Sequence, residues 1–286
     1  MSYKIITDNC CDLPQEVYNE LNVAVIPLSV LFRGETLSCL SDGQTKEMYD
    51  ALRKGEAATT SAVNPQHWSD VIEPVLAAGE DALVLAFSSG LSTTYQSAVI
   101  ASQELVEKYP QRCVRVVDTL CASMGQGLLL WYACKQRDAG LSLDELAAWC
   151  EEAKYRLCHW FTVDDLMFLK RGGRISAATA LVGTMLNIKP VLHVDNEGHL
   201  ISKGKVRGRK ASLDALAAKL GELGLPGEND TVFISHGDCL ADAQYLEKVL
   251  KEKYSVKEVM IHYVGAVIGS HSGPGTVALF FLGNHR

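Results

Sequence analysis

Residues 82–87 read Ala-Leu-Val-Leu-Ala-Phe, apolar at every position. A strand with one wet face alternates apolar and polar side chains, so an unbroken run of this kind needs cover on both faces. That places it inside a parallel sheet flanked by helices. Residues 3–7, 23–28 and 114–117 read as further strands, and 95–108, 125–137 and 143–158 as helices. The last helix is entered through Ser142, with Glu145 as its capping-box partner. Asp12-Leu13-Pro14 is expected to start a short helix, with the acid as N-cap and the proline in the first turn. Strand and helix alternate as in an α/β protein with crossover connections.

The pattern changes after His159. Residues 190–194 and 199–203 flank Asp195-Asn196-Glu197-Gly198, an antiparallel hairpin signal. Helix 212–223, strand 231–235, helix 240–251 and strands 259–264 and 276–282 follow. The expected architecture is a two-lobed α/β protein divided near residue 160. Lobe 1–160 would hold a mainly parallel sheet with flanking helices, and lobe 161–286 a mixed or antiparallel sheet. Segment exchange between the lobes is expected, with a ligand between them.

A net charge of −7 over 286 residues argues against a nucleic-acid partner, which needs a basic surface. The nine cysteines form an odd count in apolar contexts such as Trp131-Tyr132-Ala133-Cys134. They read as free buried thiols of a reducing cytosol. Cys10-Cys11 has no metal-ligand spacing, so no metal site is expected. No apolar run approaches the roughly 20 residues of a membrane-spanning helix. Residues 1–8 lack a cationic-then-apolar signal region, so a cytoplasmic location is expected.

Five segments gather hydroxyls, glycines, cations or a histidine, and all five read as loops. The first is Thr59-Thr60-Ser61-Ala62-Val63-Asn64-Pro65. The second is Ser88-Ser89-Gly90-Leu91-Ser92-Thr93-Thr94, between the apolar strand and a helix, where ligands of open α/β sheets sit. Ser92 or Thr93 could equally cap that helix. The third, Lys170-Arg171-Gly172-Gly173-Arg174, precedes an apolar helix and reads as an anion nest or a solvated turn. The fourth places Lys203, Lys205, Arg207, Arg209 and Lys210 within eight positions of an acidic protein, and reads as a solvated face or as a contact for an anionic partner. The fifth, Gly269-Ser270-His271-Ser272-Gly273-Pro274-Gly275, lets backbone approach a ligand closely while presenting one imidazole.

Together these segments resemble the DegV family over essentially the whole chain. The resemblance rests on Thr7-Asp8 with Asp12-Leu13-Pro14, Thr60-Ser61, Ser88-Ser89-Gly90-Leu91-Ser92, Gly172-Gly173-Arg174-Ile175, Leu186-Asn187-Ile188-Lys189-Pro190 and residues 269–275, all in family order. It implies a protein that binds one long-chain fatty acid and needs no cofactor. Thr60 (with Ser61 beside it), Ser92 (with Thr93) and His271 would hold the carboxylate. It also implies a non-catalytic partner of a fatty acid kinase subunit, to which it presents the carboxylate for acyl-phosphate formation and phospholipid synthesis. Arg171, Arg174, Lys205, Arg207 and Arg209 are the expected docking cations, and transient membrane contact would serve lipid exchange. Two departures stand out: Ser92-Thr93-Thr94 replaces the family's Ser-Gly-Thr, and Ala62-Val63-Asn64 replaces Gln-Pro-Ser. The rival reading is a hydrolase with Ser89 or Ser92 as nucleophile, His271 as base and Asp118 or Asp238 as orienter. It lacks the Gly-x-Ser-x-Gly elbow, and no phosphate-binding Gly-x-x-x-x-Gly-Lys loop is present.

Overall fold

The computed structural model describes residues 2–176 and 187–286. The apolar helix expected after Ser176 and Leu186 of the family motif lie outside the described residues. The chain opens with β1 (Tyr3–Asp8), α1 (Gln15–Glu20) and β2 (Ala24–Ile26). A hairpin of β3 (Ser29–Phe32) and β4 (Glu35–Leu37) leads to α2 (Asp42–Arg53), β5 (Ala58–Ser61) and α3 (Pro65–Ala77). Next come β6 (Asp81–Ala86), α4 (Thr94–Lys108), β7 (Val114–Asp118), α5 (Met124–Asp138) and α6 (Leu143–Ala153). They are followed by β8 (Leu157–Thr162), α7 (Met167–Arg171), β9 (Ile188–Val194) and β10 (Leu200–Arg207). The last elements are α8 (Arg209–Leu223), β11 (Thr231–His236), α9 (Leu240–Tyr254), β12 (Glu258–Tyr263), α10 (Ala266–Ser272) and β13 (Val277–Leu282).

The apolar run becomes β6, buried at all six positions and central in a parallel sheet ordered β2-β1-β6-β7. A six-stranded mixed sheet runs β10-β9-β8-β13-β11-β12, in which β11 and β12 pair parallel and the other neighbours antiparallel. A small antiparallel sheet, β4-β3-β5, completes the molecule. The α/β architecture read from the sequence, one parallel sheet and one mixed, is therefore the observed one. Residue 160 falls inside β8, which pairs with β13 and β9 of the mixed sheet.

α5 joins the two large sheets. Its side chains from Met124 to Leu130 are all buried, and a helix covered all round carries no polar face. Leu128 and Met124 pack in one cluster with Leu83 and Leu85 of the parallel sheet and with Phe233 and Phe280 of the mixed sheet. α10 crosses in the other direction, packing on β3, β5 and α2 of the early chain.

Several local expectations are corrected. Asp12 does not cap α1: it sits at φ 52° with its carboxylate buried, and Pro14 precedes the helix instead. The helix expected to reach residue 158 stops at Ala153, because Leu157–Thr162 is buried throughout and forms β8. Three of the presumed loops are regular structure. Thr59-Thr60-Ser61 lies in β5, Lys203 to Arg207 ends β10, and His271 sits in α10. α2 and α3 were not anticipated, although Ser41 with Gln44 forms a capping box and Asn64 caps α3 ahead of Pro65.

Candidate functional site

A cavity of about 390 Å3 opens beyond the carboxyl ends of β6 and β7, where open α/β sheets place their ligands. Its wall takes Phe87 and Leu91 from the β6–α4 turn, Ala122 from the β7–α5 turn, Phe161 from β8 and Ala278 and Phe280 from β13. Val264, Val267, Ile268 and His271 follow helical spacing and turn one face of the α10 region to the cavity. Such a lining suits an apolar ligand body with a few polar contacts at one place.

Those contacts gather at one end. His271 Nε2 lies 2.8 Å from Thr60 Oγ1. The imidazole packs so closely on the α7 exit that a Cβ on Gly172 would fall 2.4 Å from its Nδ1. α10 stops immediately afterwards at Gly273, whose φ of 78° favours glycine. Ser92 Oγ lies 2.8 Å from Thr94 Oγ1 and accepts from Thr94 N–H at 3.2 Å, so it also helps cap α4. Arg174 donates to the carbonyls of Leu91, at 3.2 Å, and Gly172. Burial holds the guanidinium below its usual range, and no carboxylate pairs with it among the described residues. Burial, with the charge of Arg174, pushes His271 down to about 4, so the imidazole is neutral at physiological pH. Ser272 Oγ, also on the cavity wall, is buried without a partner among the described residues.

Of the residues expected to bind a carboxylate, Thr60, Ser92, Thr93 and His271 line this cavity. Ser61 points the other way and is exposed, since successive strand residues face opposite sides. The expected docking cations separate. Arg174 lines the cavity, and Arg209 is committed to Asp242 at 2.8 Å and Asp164 at 3.7 Å. Arg171 is exposed over the Phe168 ring, and Lys205 and Arg207 are exposed on the edge strand β10. The would-be orienting acids are engaged elsewhere. Asp118 accepts from the Ser89 and Leu120 N–H groups, and Asp238 pairs with Arg53. Among the described residues no cluster of three or more His, Cys, Asp or Glu could hold a metal ion, and no helix is long and apolar enough to cross a membrane. All nine cysteines are free, and Cys39 alone is exposed, which the expectation of buried thiols did not foresee.

The buried titratable groups set a pH dependence. Burial holds His159, His193, His236 and His271 well below 6.5, so all four take up protons on unfolding in mildly acid solution. Burial raises Asp8 to about 6 and Asp12 to about 7, so these two release protons on unfolding. Depressed histidines make stability fall as pH drops below 6.5, while raised acids act in the opposite sense. The histidines outnumber the acids by two, so unfolding takes up about two protons near pH 5.5, worth about 2.7 kcal/mol per pH unit. Denaturant titrations at pH 6.0 and 5.0 should show a clear loss of stability at the lower pH. Equal or greater stability at pH 5.0 would contradict these assignments.

A family model described as an uncharacterised protein of the DegV family matches residues 2–284. A DegV domain-containing protein of Clostridium perfringens is 43% identical over 286 residues, covering 99% of this chain and 98% of that protein. A solved structure from Thermus thermophilus, described by the fatty acid binding of a DegV family protein, superposes with a TM-score of 0.89 at 34% identity, covering 99% of this chain and all of that one. A Thermotoga maritima protein, whose structure is described as revealing a fatty acid binding function, gives 0.84 at 30% identity, covering 99% of both chains.

Proposed function

The chain belongs to the DegV family, and on that premise we propose that its cavity holds one long-chain fatty acid. The observation that carries this reading is Arg174, a half-buried cation with no carboxylate partner among the described residues, at the polar end of an otherwise apolar cavity. A desolvated cation of this kind is costly unless an anion meets it. Thr60, Ser92 and Ser272 add hydroxyl donors, and His271, neutral before binding, donates through whichever nitrogen carries its proton. The tail contributes the larger gross term, about 0.8 kcal/mol per buried methylene. The binding of fatty acids by the Thermus and Thermotoga relatives supports the same ligand class.

On this reading the protein carries its acid without transforming it. The acid lies between the parallel-sheet lobe and the mixed-sheet lobe and is presented to a separate ATP-dependent kinase subunit in the cytoplasm. Titration with palmitate and incubation with palmitoyl esters test it together. Saturable one-to-one binding of the acid with no ester turnover is expected, and steady ester hydrolysis would overturn it.

Lys205, Arg207 and Arg171 remain as exposed cations for docking that partner, and such charges act chiefly through association rate. The variant carrying Lys205→Glu and Arg207→Glu should bind palmitate normally while acyl-phosphate formation slows severalfold at low salt. An unchanged rate would leave these cations as guards of an exposed sheet edge.

A further inference from the structure

The cavity wall is polar in a second place, away from the Arg174 end. Ser123 and Ser235 both line it, with their Oγ atoms 2.9 Å apart. Ser235 stands opposite Ala278 on β13, two residues beyond Thr276, or about 7 Å along the strand. Thr276 is tied to the end of α10 by Oγ1, which lies 2.8 Å from the Gly273 carbonyl. The two serines therefore sit beside the body of a bound chain and not beside its carboxylate.

Two features set this pair apart from ordinary wall residues. Ser123 adopts φ 55° and ψ −148°, a backbone region that a residue with a Cβ rarely enters. Its Oγ donates to Asp12 Oδ2 at 2.5 Å, and Asp12 is itself 6% exposed. Each hydroxyl has one proton. Ser123 Oγ is also the donor in its contact with Ser235, so Ser235 keeps its own proton for the cavity. His159, on the same lining, adds acceptor character. Its Nδ1 lies 3.0 Å from the Leu157 carbonyl, which fixes the proton there, and Nε2 has no partner among the described residues. A plain methylene chain laid over this stretch leaves the Ser235 proton and His159 Nε2 unpaired, whereas a hydroxyl on the chain accepts from the one and donates to the other.

We propose that Ser123 and Ser235 form a subsite for a hydroxyl group on the acyl chain, so that the preferred ligand is a long-chain fatty acid hydroxylated in mid-chain. The inference rests on the acyl-binding reading above and adds the substrate class to it.

The test is a binding series at about pH 8.5, where Asp12, raised only to about 7, is ionised. The ligands are stearic acid, hydroxystearic acids with the hydroxyl moved along the chain, and the oxo acid matching the best of them. At least one interior hydroxy acid should bind about tenfold more tightly than stearate, the size expected for pairing a buried acceptor. The oxo acid, which accepts from Ser235 but brings no proton for His159, should keep only part of that gain. In Ser235→Ala the ratio of the hydroxy acid and stearate affinities should fall. Stearate binding at least as tightly as every hydroxy acid would overturn the inference while leaving acyl binding intact, and so would a ratio unchanged in Ser235→Ala. Failure of every acid to bind would overturn the acyl-binding reading and this inference with it.

Discussion

Replacing Arg174 with methionine is expected to weaken palmitate binding by about one to two orders of magnitude, the cost of losing a hydrogen bond between charged groups in a buried site. Hexadecanol, with the same tail and no charge, should change by less than about threefold. Methionine keeps much of the side-chain length and apolar stem, so the packing against Leu91 and Gly172 survives in part. A second readout separates charge from shape. Arg174 is one of the two causes holding His271 near 4, so the imidazole should titrate at a higher pH in the ligand-free variant. Equal losses for the acid and the alcohol, with His271 unmoved, would mean that Arg174 serves packing alone.

Arg286→Met should have the largest effect on stability, lowering the unfolding free energy by about 3–4 kcal/mol. The Arg286 side chain is 7% exposed, and its guanidinium is shared among acceptors from separate parts of the fold. It donates to the carbonyls of Leu157 at 3.1 Å, Leu120 at 2.6 Å, Asp195 at 3.0 Å and Lys154 at 2.5 Å. Methionine fills part of the space and satisfies none of them, leaving several buried acceptors without a donor. Leu120 itself sits at φ 52° in the turn that delivers Ala122 and Ser123 to the cavity. Loosening that turn should therefore also weaken lipid binding. Denaturant unfolding should show a lower midpoint at an unchanged slope. A change within about 0.5 kcal/mol would show that water replaces the guanidinium at little cost.

The parts of this structure that the sequence disclosed are those governed by local periodicity. The apolar run of β6 required two covered faces, and Asp195-Asn196-Glu197-Gly198 required a hairpin between β9 and β10. The Ser41 and Asn64 caps were equally local signals, and reading them would have yielded α2 and α3. β8 was hidden because Leu157–Thr162 continues the apolar character of α6, and tertiary pairing with β13 decides its state.

The candidate site was legible as a set of cavity-lining residues but not as an arrangement. Thr60, Ser92 and His271 come together only because β5, the β6–α4 turn and α10 converge, a contact spanning 211 positions for Thr60 and His271. Nothing in Lys170-Arg171-Gly172-Gly173-Arg174 says which cation turns inward. The turn at Gly173, with φ 73°, and the carbonyl of Leu91 make that choice for Arg174. Arg209 likewise looked free until α9 brought Asp242 beside it. The Asp12–Ser123–Ser235 chain joins three distant segments and has no signature in any one of them.

The most direct test of the central claim is native mass spectrometry of the purified protein, before and after incubation with palmitate or oleate. The account predicts one acyl chain per polypeptide, either carried through purification or taken up on addition, and released as an unmodified free acid. A protein that carries no acyl species and takes up neither acid would contradict it.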